Sequence, residues 1–165
     1  MGVGKTTLAE RLASRLGRPL RDSDRDVSTL TGASGAALAA EASVDVLHDL
    51  ERAVLLGALA HPEPLVIAAA ASVVEHDQVR RALKRTAWVV HLVAPVELIL
   101  ERQASSGHRR PMTGDELRAL IERRRSLFDE VTNLRLDARH GPDHLVDQVM
   151  AWLAEGRRQA TRESI

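Results

Sequence analysis

Two continuous apolar segments constrain the fold of this chain more than any other feature. They are PLVIAAAA at residues 64–71 and AWVVHLVA at residues 87–94, and neither alternates between apolar and polar residues. A strand buried on both faces has this pattern, because each face contacts another layer of the protein. Shorter extended segments at residues 18–24 and 133–138 fit two further strands, with amphipathic helical segments between them. This alternation predicts an α/β domain of three layers, in which helices cover both faces of a parallel sheet.

The length and composition indicate how many domains the chain forms and which partners it can attract. Of 165 residues, 44% are hydrophobic and 28% charged, the formal net charge is zero, and there is no cysteine. Cysteine-based chemistry is therefore excluded, and no overall positive charge attracts nucleic acid or membrane. We expect a single domain over residues 1–156 and a polar tail at residues 157–165. We also expect a cytoplasmic monomer that binds neither nucleic acid nor membrane.

The chain begins with the second half of a phosphate-loop motif. Gly4, Lys5 and Thr6 match the last three fixed positions of G-x-x-x-x-G-K-[ST]. Glycines let backbone N–H groups turn toward phosphate oxygens, the lysine supplies a positive charge to the β- and γ-phosphates, and the hydroxyl can bind Mg²⁺. The segment therefore predicts a site for the phosphates of a nucleotide and for Mg²⁺. Its nucleotide-binding residues are expected to be Gly2, Val3, Gly4, Lys5, Thr6 and Thr7.

The first half of the motif is not in this sequence. Its first glycine would lie two residues before Met1, and the strand that precedes such a loop is missing too. In folds of this class that strand is central in the sheet. We therefore expect the strands near residues 65–71 and 88–94 either to leave a slot between them or to pair directly. We also expect the missing strand and glycine to be encoded upstream.

Two acids follow the first predicted strand. Asp22 and Asp24 are two residues apart, so in an extended segment their side chains point to the same side. One could act on Mg²⁺ or on the acceptor's proton, and the other could bind hydroxyl groups. The alternative is a structural role, in which an aspartate closes a turn or caps a helix.

Two groups of arginines offer further charges. Arg109 and Arg110 lie in a segment flanked by glycine and proline, as in a mobile lid at about residues 103–113, although a solvated basic loop has the same composition. Arg123, Arg124 and Arg125 lie on successive faces of a predicted helix. At most one or two of these three can therefore face a cleft.

Taken in order, these segments resemble the shikimate kinase family. The similarity covers nearly the whole chain to about residue 150. It is carried by MGVGKTTLAERLA, DSDRDVSTLTG, LHDLE, LVIAAAASVV, RRPM and RRRSLFDEVTNLRLDA. The resemblance implies a phosphate-loop kinase fold and phosphoryl transfer from ATP.

For the nucleotide half of the site, the resemblance implies that Lys5 and Thr6 hold phosphate and Mg²⁺. Asp22 would lie near the metal and the transferred group, so that Thr6 and Asp22 form the metal site. Arg110, which precedes Pro111, would be the lid arginine that reaches the ATP phosphates. Lys5, Asp22 and Arg110 are thus the expected catalytic residues.

For the acceptor half, the resemblance implies a binding segment at about residues 26–60. Asp24 would bind acceptor hydroxyls, and Arg124 would bind the acceptor's carboxylate. This half departs from the family pattern at three places. His48 stands where the family has a second carboxylate-binding arginine, and Ala70–Ala71–Ser72 replaces a turn of three glycines that lines the acceptor pocket. Ser43–Val44 replaces the Gly-Glu that opens the helix of the acceptor segment.

The nucleotide half of the site thus retains the family's residues apart from the truncation, whereas the acceptor half has lost several of them.

The leading hypothesis is an ATP-dependent small-molecule kinase that transfers the γ-phosphate to a hydroxyl of shikimate or of a similar hydroxylated acid. Two alternatives remain open at this point. One is a gluconate-kinase-like enzyme, and the other is a nucleotide-binding module without phosphotransfer. The missing glycine, the alanine run and His48 favour the module. The retained site residues oppose it, and these are Lys5, Thr6, Asp22, Asp24, Arg110 and Arg124.

Overall fold

Strands and helices alternate along the chain, as the sequence predicts. The computed structural model describes residues 2–106 and 112–163. The α-helices are α1 (Lys5–Leu16), α2 (Ser23–Thr31), α3 (Gly35–Glu41), α4 (Val44–Leu59), α5 (Asp77–Thr86), α6 (Val96–Ser106), α7 (Gly114–Val131) and α8 (Pro142–Glu163). The strands are β1 (Leu20–Asp22), β2 (Val66–Ala68), β3 (Val90–Val93) and β4 (Leu134–Asp137), and a 3-10 helix spans Ala71–Glu75.

The four strands are those predicted from the sequence, and they pair in parallel. β1 pairs with β2, with Asp22 opposite Ala68, and β3 pairs with β4, with Val93 opposite Asp137. Within the described residues these are two separate two-stranded sheets, and β2 is not hydrogen-bonded to β3. Of the two arrangements expected for β2 and β3, direct pairing is therefore wrong.

Both sheets nevertheless lie in one layer, because they share the same two hydrophobic cores. Val66 of β2 packs against the first core together with Val90 and Leu92 of β3. Ile67 and Val89, the neighbours of Val66 and Val90, pack against the second core. Successive residues of a strand point to opposite faces, so each sheet contacts a core on both faces. The predicted three-layer arrangement is confirmed.

Helices supply most of each core. The first core contains buried residues from α1, β4 and α8, which are Leu8, Leu12, Leu136, Leu145, Val146 and Val149. The second contains buried residues from α4, the 3-10 helix, α5 and α7, which are Leu55, Val73, Val74, Val79, Leu83 and Val131. Leucine, valine and alanine thus build cores that contain few aromatic rings.

Local signals place several helix ends where the sequence predicts them. α1 ends at Gly17, whose φ of 62° lies in the left-handed region that glycine readily adopts. Ser43 caps α4 by accepting a hydrogen bond from the N–H of Val46. Thr113 and Glu116 form a reciprocal capping box at the start of α7.

The last helix is longer than its sequence suggests. α8 continues through Gly156 to Glu163, into the segment predicted to be a polar tail. One glycine inside a helix costs only about 1 kcal/mol relative to alanine, and the neighbouring alanine, glutamate and arginine residues favour the helix. No helix in residues 2–106 or 112–163 combines the length and the apolar character needed to cross a lipid bilayer.

One polar side chain of β3 lies beside the second core. The ring of His91 stacks on that of Phe128, with centroids 4.1 Å apart and planes 11° from parallel. Its Nδ1 atom is buried and has no hydrogen-bond partner among the described residues. Burial lowers the pKa of His91 below its ordinary value, and the charge of Arg135 adds to this, while Asp129 partly opposes it. The neutral form of His91 is therefore favoured in the folded protein.

Candidate active site

The glycine loop leads directly into α1, as predicted. Gly4 is the residue before the helix, with φ of 96°, and Gly2 has φ of 69°. Both angles lie in a region that other residues rarely adopt. A β-carbon on Gly2 would also lie 3.1 Å from the carbonyl oxygen of Ile99, so this position has little room for a side chain.

The start of α1 is suited to an anion. No described side chain caps it, and its first turn contains no acidic residue. The first backbone N–H groups of a helix carry a partial positive charge and attract phosphate when no carboxylate occupies them. Lys5 is the first residue of the helix and is half-buried, so its charge lies at the same helix end.

Asp22 joins the loop to the edge of the first sheet. It is the last residue of β1 and is buried. Its Oδ2 accepts a hydrogen bond of 2.8 Å from the Thr6 hydroxyl, and its Oδ1 accepts from the backbone N–H groups of Asp24 and Arg25 at 3.0 and 3.3 Å. The carboxylate therefore contacts the loop threonine and caps α2 at the same time. The two roles considered from the sequence, site residue and helix cap, are compatible.

Asp24 does not lie where an extended segment would place it. β1 ends at Asp22 and α2 begins at Ser23, so Asp24 is in the first turn of a helix and is exposed. The expectation that Asp22 and Asp24 point to the same side of an extended segment is wrong. The cap made by Asp22 is the reason, since it turns the chain into a helix one residue after the strand.

Arg102 is a residue of this region that the sequence analysis missed. From α6 it donates hydrogen bonds to the carbonyl oxygens of Gly2 and Val3, at 3.4 and 3.3 Å, and to that of Ala138 at 3.1 Å. The guanidinium thus ties the loop to the end of β4. Its position on the helix that leads into the predicted lid was the available signal, but the contact joins residues about a hundred positions apart.

The alanine turn begins at the same edge of the sheet as Asp22. Ala70 precedes the 3-10 helix, and Ala71 and Ser72 are its first residues. Ala70 has φ of −63°, and no described residue other than glycine has a positive φ. The alanines that replace the family's glycines therefore fit this backbone without strain.

Ser72 is buried and is bonded to a buried carboxylate. Its hydroxyl donates a hydrogen bond to Glu51 of α4, and only 2% of Glu51 is exposed. His48 lies one helical turn before Glu51 and is half-buried, while its neighbour Leu47 is buried in the protein. Glu51 and Ser72 thus connect the predicted acceptor segment to the alanine turn.

Arg124 is the one of the three successive arginines that points inward. Arg124 is buried, whereas Arg123 and Arg125 are exposed. The Nε atom of Arg124 donates a hydrogen bond of 3.0 Å to Glu75 Oε1, and Arg123 Nη2 donates one of 2.8 Å to the same oxygen. Glu75 is the last residue of the 3-10 helix, so Arg124 lies beside the element that contains Ala71 and Ser72.

The two arginines keep Glu75 charged. Burial acts in the opposite direction, but the hydrogen bonds and charges of Arg124 and Arg123 outweigh it and hold the pKa of Glu75 below its ordinary value. Arg124, which is predicted to bind the acceptor's carboxylate, therefore already donates one hydrogen bond to a carboxylate of the protein, that of Glu75.

The structure thus joins the predicted site residues into two groups. Thr6 and Asp22 are in direct contact at the loop, and Arg124 contacts the element of the alanine turn. Arg109 and Arg110 lie outside the described residues, together with the rest of residues 107–111 of the predicted lid, while residues 103–106 form the end of α6.

The fold and the loop first define a class of protein. A parallel α/β domain with a glycine loop at the start of a helix is the phosphate-loop kinase fold. A sequence model of the shikimate kinase family matches residues 1–154. A shikimate kinase from Symbiobacterium thermophilum is 33% identical over 162 residues, covering 94% of this chain and 92% of that protein. The chain belongs to the shikimate kinase family.

Solved structures agree with this assignment. A structure of shikimate kinase from Acinetobacter baumannii in complex with shikimate matches with a TM-score of 0.87 and 28% identity, over 94% of this chain and 89% of that one. A gluconokinase from Sinorhizobium meliloti matches with a TM-score of 0.66 and 20% identity, over 100% of this chain and 93% of that one. At that identity the second likeness extends to the fold alone. The family predicted from the motifs is confirmed.

Proposed function

We propose that this chain is an ATP-dependent kinase that transfers the γ-phosphoryl group to a hydroxyl of shikimate or of a similar hydroxylated carboxylic acid. The observation that supports it most directly is the 2.8 Å hydrogen bond between Thr6 Oγ1 and Asp22 Oδ2. The two oxygens of this bond lie in or beside the first turn of α1, whose start has no side-chain cap, and both are of a kind that can bind a metal ion. A helix start and two such oxygens are what a nucleotide's phosphates and their metal ion require together.

The same two oxygens fit Mg²⁺. This ion prefers oxygen ligands and is usually held by one or two protein groups together with phosphates and water. The part of the chain that the structure describes contains no group of three or more histidine, cysteine, aspartate or glutamate residues arranged to hold a metal. A metal held mainly by the nucleotide, with Thr6 and Asp22 as its protein contacts, suits this arrangement. When bound, it neutralises charge on the β- and γ-phosphates.

In this proposal the protein accelerates transfer by positioning and by electrostatics. Backbone N–H groups of Gly2 and Gly4 and the charge of Lys5 hold the phosphates in place. By the family resemblance, Arg110 adds a further positive charge to the phosphates. Such charges act most strongly as negative charge shifts between the donor and acceptor oxygens, so they lower the barrier more than they strengthen ground-state binding.

In this proposal the phosphates lie on one side of Asp22, at the phosphate loop, and the acceptor lies on the side away from the loop. Asp24 accepts hydrogen bonds from the acceptor's hydroxyls, and Arg124 binds its carboxylate. His48 and the backbone at Ala70 and Ala71 complete the wall of the pocket. An arginine is suited to this task because its planar guanidinium can donate two parallel hydrogen bonds to one carboxylate.

Release of ADP by the purified chain tests this function. We expect release to depend on shikimate, to be absent with gluconate, and to be lost in Lys5→Ala. Lys84→Ala is the matched control, since Lys84 is an exposed lysine of α5 that pairs with Glu130. ATP binding without release of ADP, with shikimate or gluconate present, would instead indicate a nucleotide-binding module. Release with gluconate alone would indicate a gluconate kinase.

A further inference from the structure

We propose that Glu75 is a specificity-determining residue, whose carboxylate competes with the acceptor's carboxylate for Arg124. It thereby sets how strongly the site prefers acids to neutral polyhydroxy compounds. This inference rests on the proposed function, in which Arg124 binds the acceptor.

The geometry of Arg124 limits what an acceptor can use. A carboxylate can bind a guanidinium along the edge formed by Nε and one Nη, or along the edge formed by the two Nη atoms. Glu75 accepts from Nε at 3.0 Å, so the first edge is occupied by the protein itself. An acceptor must therefore use the remaining edge or displace Glu75.

Charge leads to the same conclusion. Glu75 is held ionised by Arg124 and Arg123, so it presents a full negative charge next to the guanidinium. An acid bound to the same guanidinium would lie a few ångströms from that charge. The side chain of Arg124 is only 11% exposed, so water screens this repulsion less than it would on the surface. A neutral acceptor meets no such repulsion.

The sequence departure at position 48 makes Glu75 more influential. His48 stands where the family has a second arginine, so Arg124 is the only arginine left for an acid among those that the resemblance implies. With one arginine and one competing carboxylate, a change at position 75 should alter acid binding directly. It should leave ATP binding unchanged, since Arg123 and Arg124, which donate hydrogen bonds to Glu75, belong to α7 and not to the phosphate loop.

The test is calorimetric binding of shikimate and of its neutral methyl ester to four forms of the full chain. These are the wild type, Glu75→Gln, Arg124→Gln and the control Glu122→Gln. Glu122 is an exposed carboxylate of the same helix that pairs with Arg125. We expect Glu75→Gln to bind shikimate about tenfold more tightly, in line with the removal of a neighbouring like charge, and to bind the ester unchanged. Glu122→Gln should match the wild type for both compounds.

Each other outcome has a distinct meaning. If Arg124→Gln weakens shikimate binding but Glu75→Gln does not strengthen it, Glu75 does not compete and the proposal is overturned, while the proposed function stands. If Arg124→Gln has no effect on the acid, the proposed acceptor site is wrong and the role of Glu75 falls with it. Should Glu75→Gln fold poorly, Glu75→Asp takes its place. Its side chain is one methylene shorter, so the carboxylate keeps its charge but lies farther from Arg124. Competition then predicts that Glu75→Asp binds shikimate more tightly than the wild type, and weaker binding would refute it.

Discussion

Asp22 is the residue at which stability and chemistry can be separated by two substitutions. Its Oδ1 caps α2 through two backbone N–H groups, while its Oδ2 accepts from Thr6. Asparagine keeps the capping oxygen, because it is as good an N-cap as aspartate, but it loses the charge. Alanine removes both functions. The pair Asp22→Asn and Asp22→Ala therefore tests whether the two oxygens have the roles described above.

The expected magnitudes follow from these contacts. Loss of the cap in Asp22→Ala costs about 1 kcal/mol. Leaving the partly buried Thr6 hydroxyl without its acceptor costs about 1 kcal/mol more. A total of about 2 kcal/mol corresponds to a fall in Tm of roughly 4–8 °C for a domain of this size. In Asp22→Asn the amide nitrogen that replaces Oδ2 cannot accept from Thr6, but the Thr6 hydroxyl can turn and accept from that nitrogen. The remaining loss is then the interaction of the charge with the helix dipole, about 0.3–1 kcal/mol.

Turnover, unlike stability, should respond in the same way to both substitutions. Asp22 is a proposed metal contact and also accepts from Thr6, the other proposed contact. Loss of a ligand's hydrogen-bond partner alone typically weakens metal binding by about 10–100-fold. We expect both variants to need that much more Mg²⁺ for half-maximal ADP release. Urea unfolding gives the free energy, and a magnesium titration gives the requirement.

Asp143→Asn is the control, since Asp143 lies in the first turn of α8 and pairs with Arg11 on the surface. It should leave both the free energy of unfolding and the magnesium requirement close to wild type. The assignment of the two oxygens is refuted if Asp22→Asn loses as much stability as Asp22→Ala. A wild-type magnesium requirement in Asp22→Asn would equally refute it.

Three further outcomes are expected. Arg110→Ala should slow phosphoryl transfer more than it weakens ATP binding, and a wild-type rate in single-turnover measurements would show that the lid arginine lies elsewhere. Because the pKa of His91 is lowered on folding, the unfolded chain binds more protons below about pH 6.5, and stability should fall from pH 7 to pH 5. Urea unfolding of His91→Leu should show a smaller fall, and an unchanged fall would assign it to other groups. Ser72→Ala should lower the free energy of unfolding by about 1–3 kcal/mol, because the buried Glu51 loses a donor; a change below about 0.5 kcal/mol would mean that this bond contributes little.

Much of this structure could be predicted from the sequence because its signals are local. The apolar segments at 64–71 and 87–94 indicated buried parallel strands, and β2 and β3 lie within them. The ends of helices followed from single residues such as Gly17 and Ser43. The glycine loop indicated the start of α1, since its residues are contiguous in the chain. In each case a short stretch contains all the groups that determine the local backbone.

The contacts of the acceptor half depended on tertiary structure. Glu75 and Arg124 are 49 residues apart, and Glu51 and Ser72 are 21 apart. No periodicity or motif relates the members of either pair, so nothing in the sequence showed that the expected carboxylate-binding arginine already has a carboxylate partner. Such pairings depend on how two helices are oriented across the core, to within about an ångström, because a hydrogen bond weakens steeply beyond its normal length and angle. That orientation results from packing of the whole domain, and only the folded structure provides it.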